Sequence, residues 1–438
     1  METILARTFQ ARRDWAAQPV ERRCEVLRAA ATALRSRRDS LARFITSEMG
    51  KPLRESVAEV EKCASTCDYY ADAAPSMLVP RAVATSAAES RVTFEPLGTV
   101  LAVMPWNFPL WQIVRAAVPA LAAGNAFVVK PAPITGGSAV ALAGSFAAAG
   151  LPPGLFEVLV VDEPKTAETV RDLLADDRID AVTFTGSEAA GAAIASAAGA
   201  AVKPSVLELG GSDAFVVRAD ADLAVAVSQA VRSRFLNAGQ SCIAAKRFIV
   251  DVSVAEEFTT ALGVAVSKLV VGDSFDPGTD IGPLARPDLV DTLDRQVRES
   301  VAAGARLVTG GEALPGGFYR PTVLADVRPD MAVCAEETFG PVAAVLVAAD
   351  DDDAVRLANA SRWGLGASVW SADAAAAREV AARLRSGAVF VNAVVASDPR
   401  LPFGGTGKSG FGRELGPEGL LAFVNVRTWW IESGEAHA

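Results

Sequence analysis

From about residue 80 onward the chain alternates short apolar runs with Ala-rich stretches of helical pattern, and no other feature restricts its fold as strongly. Val100-Leu-Ala-Val-Met, Ala126-Phe-Val-Val-Lys, Glu157-Val-Leu-Val-Val and Ala181-Val-Thr-Phe-Thr predict strands, with helices such as that over 138–149 between them. A strand that is apolar on both faces needs cover on both, which a strand–helix–strand succession supplies as a parallel sheet. A second series, Ala214-Phe-Val-Val, Arg247-Phe-Ile-Val, Ala343-Ala-Val-Leu-Val, Ser368-Val-Trp and Ala388-Val-Phe-Val, predicts a second α/β unit. A length of 438 residues agrees with more than one core. Ahead of these strands, Val26, Leu27, Ala30, Leu34, Leu41, Phe44 and Ile45 recur at helical spacing and predict amphipathic helices over about 20–73. Cys63 and Cys67, four residues apart there, read as core packing. Arg91-Val-Thr-Phe-Glu alternates like a half-exposed strand. The apolar, β-prone segment from Phe423 to Ile431 predicts an edge strand that pairs in an oligomer.

A single histidine, His437, narrows the chemistry. Without another imidazole the chain has no Ser-His-Asp triad, no Cys-His pair and no His-ligated catalytic metal, so no metal site is expected. Asp plus Glu total 52 against 42 Lys plus Arg, a net charge of -10 that opposes binding to a phosphate backbone. Five cysteines, odd in number and sparse, predict reduced thiols rather than a disulfide framework. Met1-Glu-Thr-Ile-Leu-Ala-Arg lacks the apolar core of a signal peptide, and no stretch offers the roughly 20 strongly apolar residues of a bilayer span. A soluble, cytoplasmic protein without nucleic-acid or membrane partners is expected.

Several motifs resemble sites without carrying them. Gly404-Gly-Thr-Gly407-Lys408-Ser409 has Pro402 where a P-loop needs its first glycine. Asp350 to Asp353 precede a helical pattern and read as a helix cap. No G-x-G-x-x-G follows a strand. What remains is Thr185-Gly186-Ser187, a turn from strand to helix whose amides and hydroxyl suit a diphosphate, although such turns also contain Gly-Ser for geometry alone. Cys242, in Asn237-Ala-Gly-Gln-Ser-Cys242, has the small neighbours of a nucleophile with open amides, and equally those of a buried structural cysteine. Glu208, in Val206-Leu-Glu-Leu-Gly-Gly, is apolar enough in context to have a raised pKa and act as a base; a salt-bridged glutamate fits the same segment. Asn107, in Pro105-Trp-Asn-Phe-Pro, could donate its amide to an oxyanion. Lys130 ends a strand within reach of ribose or phosphate, and Glu337 could accept from ribose hydroxyls with Phe339 beside it.

Taken in order, Pro105-Trp-Asn-Phe-Pro, Val129-Lys-Pro, Phe184-Thr-Gly-Ser, Leu207-Glu-Leu-Gly-Gly, Gly239-Gln-Ser-Cys, Glu337-Thr-Phe-Gly-Pro and Pro402-Phe-Gly-Gly resemble the aldehyde dehydrogenase superfamily across nearly the whole chain. Gly239-Gln-Ser-Cys-Ile-Ala-Ala-Lys-Arg-Phe and Leu207-Glu-Leu-Gly-Gly-Ser-Asp are most similar to its short bacterial succinate-semialdehyde dehydrogenases of NADP type. The resemblance implies an α/β fold with three parts. A Rossmann-type cofactor domain covers 1–77 and 97–210, an α/β catalytic domain covers 211–412, and a small β oligomerisation element covers 78–96 and 413–438.

It also implies the roles. Cys242 attacks the aldehyde, Asn107 and the Cys242 amide hold the oxyanion, and Glu208 activates the water that hydrolyses the thioester. Trp106, Lys130, Pro133, Gly186, Ser187, Leu209, Glu337 and Phe339 contact NADP or NAD. Pro133 stands where NAD-preferring relatives often carry a glutamate that repels a 2′-phosphate, which makes NADP permissible. Arg115, with Trp111 one turn before it and with Ser397, matches the carboxylate-reading end of a succinate-semialdehyde site. Leu236 replaces a second arginine of many relatives, which admits a less polar aldehyde. The chain starts at the family's first helix, which is expected to loosen one edge of the cofactor domain and to remove no catalytic residue. A homodimer or homotetramer is implied, with a CoA-acylating enzyme and a catalytically silent relative as the rival readings.

Overall fold

A computed structural model describes residues 1–432. Two parallel sheets dominate it. The first has six strands in the order Gly410–Phe411, Ser205–Glu208, Ala181–Thr185, Thr99–Val103, Ala126–Lys130 and Phe156–Val158, all parallel except the first. Its residues alternate between two cores. Val100, Ala102, Phe127 and Val129 face the helices Trp111–Ala123 and Gly136–Ala148, while Leu101, Val103, Val128 and Val182 face Thr166–Ala175 and Glu188–Ala200. That double burial is why these strands are apolar throughout rather than alternating. The helix Trp111–Ala123 is buried along its whole length. On its far side lie the N-terminal helices Val20–Ser36, Arg38–Met49 and Leu53–Met77, whose apolar faces include the fully buried Cys63 and Cys67.

The second sheet has seven strands in the order Arg306–Thr309, Thr322–Ala325, Val342–Ala348, Ala245–Asp251, Asp213–Val217, Gly366–Trp370 and Ala388–Val391, again parallel except the first. Asp350 caps the following helix by accepting from the Asp353 amide at 2.8 Å, as its sequence predicts. A third, three-stranded sheet pairs Glu89–Pro96 antiparallel with Val424–Ile431, with Arg81–Ala82 outside it. The apolar terminal strand thus finds one partner within the chain. Its other edge is open, with Val426, Trp430 and Ile431 exposed. His437 and the last residues of the expected 413–438 segment lie outside the described residues.

Two differences from the sequence expectation have physical reasons. The run expected as a strand over 157–161 pairs only over Phe156–Val158, because the chain is at the sheet edge and turns at Pro164 into a short 3-10 helix. Ser205–Glu208 is a strand although its window is only four residues long and ends in a charge. Glu2–Ala16 is the expected first helix, and its few apolar residues, Leu5 and Trp15 among them, are buried while most of its surface is charged. Among the described residues, no helix is long and apolar enough to cross a membrane.

Candidate active site

In the first sheet, successive strands step outward from Thr99–Val103 through Ala126–Lys130 to Phe156–Val158, then return to its other side at Ala181–Thr185. The crevice beyond the carboxyl ends of the strands flanking such a reversal is where open α/β sheets bind ligands. Here the two loops at that point are Pro105-Trp-Asn107 and Gly186-Ser187. Ser187 opens the helix Glu188–Ala200, its hydroxyl accepting from the Ala190 amide at 3.4 Å.

Cys242 comes to this crevice from the second sheet. The helix Leu223–Phe235 ends in a tight turn in which Asn237, Ala238 and Gly239 all have positive φ (54°, 52° and 73°). For Asn237 and Ala238 this conformation is costly, and it persists because the surroundings enforce it. The Asn237 side chain donates to the Asn107 carbonyl at 2.8 Å and to the Gln240 carbonyl at 3.2 Å. Its amide donates to the Glu55 carboxylate at 2.7 Å. Lys246, fully buried, donates to the carbonyls of Ser241 (3.0 Å) and Cys242 (2.8 Å). The turn is therefore fixed from three directions, and the half-buried Cys242 is held at its end.

The Cys242 amide enters no hydrogen bond among the described residues. The Asn107 side-chain amide gives one hydrogen to the Gln240 carbonyl at 3.1 Å, which leaves its second hydrogen free. Both N–H groups are thus available to a ligand beside the sulfur. Burial pushes the Cys242 thiol up to about 12, against the lowering effect of Arg115 and Lys246.

Glu208 ends the strand Ser205–Glu208, one strand beyond the crevice. It is buried, and neither carboxylate oxygen has a hydrogen-bond partner. Desolvation first, with Glu414 adding to it and Arg115 opposing, raises its pKa well above the ordinary carboxylate range. A carboxyl raised in this way holds a proton more readily than an ordinary glutamate, as a general base requires. The two glycines that follow serve close approach. A side chain on Gly211 would bring its Cβ to 2.7 Å from the Cys242 carbonyl, and one on Gly210 would strike the Glu337 carboxylate. Only glycines let the Glu208 strand and the Cys242 turn meet.

Two cavities share Cys242 and Gln112 as wall. The larger, about 310 Å³, lies over the crevice and is lined by Trp106, Gly186, Ser187, Leu209, Glu337 and Phe339, with Pro105, Asn107, Thr185, Gly210 and Arg286. Trp106 and Phe339 meet edge to face at 5.7 Å. Glu337 accepts from the Gly211 amide at 3.0 Å and lies 3.5 Å from Lys246. Lys130 ends its strand buried and without a hydrogen-bond partner for its ammonium among the described residues, its pKa lowered by desolvation. Pro133, exposed, begins the short 3-10 turn after it. A helix start, a carboxylate and an aromatic pair around one cleft suit a dinucleotide, with its diphosphate at Ser187 and ribose hydroxyls near Glu337, whereas Lys130 and Pro133 are not in the cavity's lining.

The smaller cavity, about 160 Å³, also has Cys242 in its wall. Trp111, Arg115 and Ser397 all line it, so the expected substrate residues converge. Arg115 is committed, however. Its guanidinium forms a buried ion pair with Glu414 and donates to the Thr185 hydroxyl at 3.1 Å. Sequence reasoning missed three residues here: Glu414, Gln112 and Lys62, the last of which also lines this cavity. No local pattern signals Lys62, because it stands between charged and apolar positions of an amphipathic helix and its partners are 49 and 335 residues away, counted to Trp111 (111 − 62) and to Ser397 (397 − 62). Among the described residues, no group of three or more His, Cys, Asp or Glu could hold a metal ion.

A sulfur with two free amide donors, a desolvated carboxylate and a dinucleotide cleft together define an enzyme that oxidises a carbonyl carbon through a thiol adduct. The model of the aldehyde dehydrogenase family matches residues 1–429, and the chain belongs to that family, which oxidises aldehydes with NAD(P). Among curated relatives, the succinate semialdehyde dehydrogenase [NAD(P)+] Sad of Escherichia coli strain K12 is 48% identical over 420 residues, 95% of this chain and 90% of that protein. A probable succinate-semialdehyde dehydrogenase [NADP(+)] of Synechocystis is 48% identical over 426 residues, 97% of this chain and 92% of the relative. Among solved structures, the succinic semialdehyde dehydrogenase of Streptococcus pyogenes in complex with NADP+ superposes with a TM-score of 0.95 at 36% identity, over 99% of this chain and 95% of that one.

Proposed function

We propose that this enzyme oxidises succinate semialdehyde to succinate, with Cys242 as nucleophile, Glu208 as base and Asn107 as oxyanion donor. The observation that carries the reading is the position of the Cys242 sulfur in the wall of two cavities, one built for a dinucleotide and one lined by cationic and aromatic side chains. The names of the relatives support the choice of aldehyde.

The chain's residues divide the work. The aldehyde enters the smaller cavity and its carbonyl carbon bonds to the Cys242 sulfur. The oxygen becomes an oxyanion between the Asn107 side-chain amide and the Cys242 N–H. Cys242 attacks as its thiolate, the form that the nearby charges of Arg115 and Lys246 favour, after its proton passes to solvent. NAD(P)+, held by Ser187, Lys130 and Glu337, would supply the acceptor for the hydride of the carbonyl carbon. Glu208 then takes a proton from the water that hydrolyses the Cys242 thioester, and the acid departs. Pro133 in place of a carboxylate favours NADP over NAD, because no charge there repels a 2′-phosphate.

The division into a cofactor domain (1–77 and 97–210), a catalytic domain (211–412) and an oligomerisation element (78–96 and 413–438) accords with this scheme. The open edge of Val424–Ile431 is the surface on which a homodimer or homotetramer would form. Free thiols at all five cysteines agree with a cytoplasmic location. The test is absorbance at 340 nm with a panel of aldehydes and both cofactors. Highest kcat/KM for succinate semialdehyde without CoA is expected. Activity only with CoA, or none with any aldehyde, overturns the proposal.

A further inference from the structure

We propose that Lys62 is the residue that binds the distal carboxylate of the substrate, together with the hydroxyl of Ser397. The inference rests on the reading of the substrate as an aldehyde bearing a carboxylate at its far end. Lys62 reaches the smaller cavity from the helix Leu53–Met77, half-buried, and its ammonium donates to the Ser397 hydroxyl at 2.6 Å. It lies 4.1 Å over the Trp111 ring, which fixes it without neutralising it. Among the described residues it forms no ion pair, and the acids that face it are occupied. Glu59 is paired with the buried Lys51 and accepts from the amides of Leu110 and Trp111, both at 2.9 Å. Asp398 is paired with Arg400 at 2.6 Å. Cys63, its other titratable neighbour, stays a thiol because burial raises it.

The contrast with Arg115 decides the assignment. Both cations line the cavity, but Arg115 already has a buried carboxylate in Glu414, whereas the charge of Lys62 has only a hydroxyl and an aromatic face. A desolvated ammonium without a counter-anion is an incomplete pair that a ligand carboxylate completes. Arg232 also lines this cavity but is exposed, where solvent weakens any pairing. Burial and the nearby positive charge of Arg115 lower the Lys62 pKa to about 8, so the free enzyme loses this charge just above neutrality.

The test uses the full enzyme with Lys62→Met, which keeps the stem, and Lys62→Arg, which keeps the charge. A charge-assisted hydrogen bond of this kind is worth about tenfold or more, so Lys62→Met should raise KM for succinate semialdehyde by about that factor relative to KM for butanal, with Lys62→Arg recovering part of it. In the wild type, kcat/KM for succinate semialdehyde should fall through pH 8 relative to that for butanal, and Lys62→Met should erase this difference. Equal effects on both aldehydes overturn the proposal. If the wild type prefers butanal, the substrate reading fails on its own. The role of Lys62 is then decided by calorimetric titration with succinate, which needs no turnover. A weakened Kd in Lys62→Met supports the proposal, and an equal Kd refutes it.

Discussion

The two cavities that meet at Cys242 differ in what their walls have left unpaired. On the dinucleotide side, the charged groups nearest the sulfur neutralise each other: Glu337 is hydrogen-bonded to Gly211 and lies beside Lys246. On the aldehyde side, positive charge is in excess, with Lys62 unpaired and Arg115 balanced by Glu414. The Cys242 sulfur stands in the wall of both, its thiol raised by burial. The lesson is that the site separates its tasks by solvation. Glu208, which must change protonation, is dry and unpartnered, while Arg115, which only positions, is paired.

That contrast can be broken by substitution. Cys242→Ala should abolish oxidation of every aldehyde, a loss of about 10⁴-fold or more, measured by cofactor reduction; retained turnover would end the covalent route. Glu208→Gln should lower steady-state turnover by about 10²–10⁴-fold and keep a rapid first turnover, seen in stopped-flow absorbance. Loss of that burst with an unchanged steady state would contradict the role. Asn107→Ala should cost about 10²–10³-fold in kcat, the usual effect of removing one oxyanion donor.

Two smaller effects sharpen the comparison. Arg115→Ala should destabilise the fold by about 3–5 kcal/mol in chemical denaturation, since it strands the buried Glu414. Its effect on kcat/KM should be similar for charged and uncharged aldehydes. Without cofactor, the thiol of Cys242 is mostly protonated at pH 7, so its alkylation by iodoacetamide should be slower than that of an ordinary cysteine and should keep rising with pH beyond 9. A rate that levels off near pH 8 would show a thiolate already stabilised in the free enzyme.

The sequence made the proposed catalytic trio legible because each member lies in a compact segment whose composition is odd for its surroundings. An acid between leucines at Glu208 and a cysteine after Gly-Gln-Ser at Cys242 are local signals. The parallel strands were legible for the same reason, since burial on both faces writes a continuous apolar run. Long-range pairings were not. Nothing near Arg115 announces that Glu414 occupies it, and nothing near Lys62 announces Ser397, because each pair is joined by the fold alone. Arginine at position 115 therefore reads from sequence as a free carboxylate binder, and only its buried partner corrects the emphasis. Ser205–Glu208 was read for its acid rather than as a strand, since four residues are too few to display a period.

The antiparallel strand Gly410–Phe411 has a consequence for how activity arises during synthesis. Gly410 pairs with Glu208, a side chain on Gly404 would bring its Cβ to 2.7 Å from the Glu208 carboxylate, and Glu414 fixes Arg115. A nascent polypeptide that has emerged only as far as residue 400 holds the nucleophile, yet it lacks the wall that keeps the base dry. The surroundings of the reactive centre are thus completed by nearly the last segment to be translated.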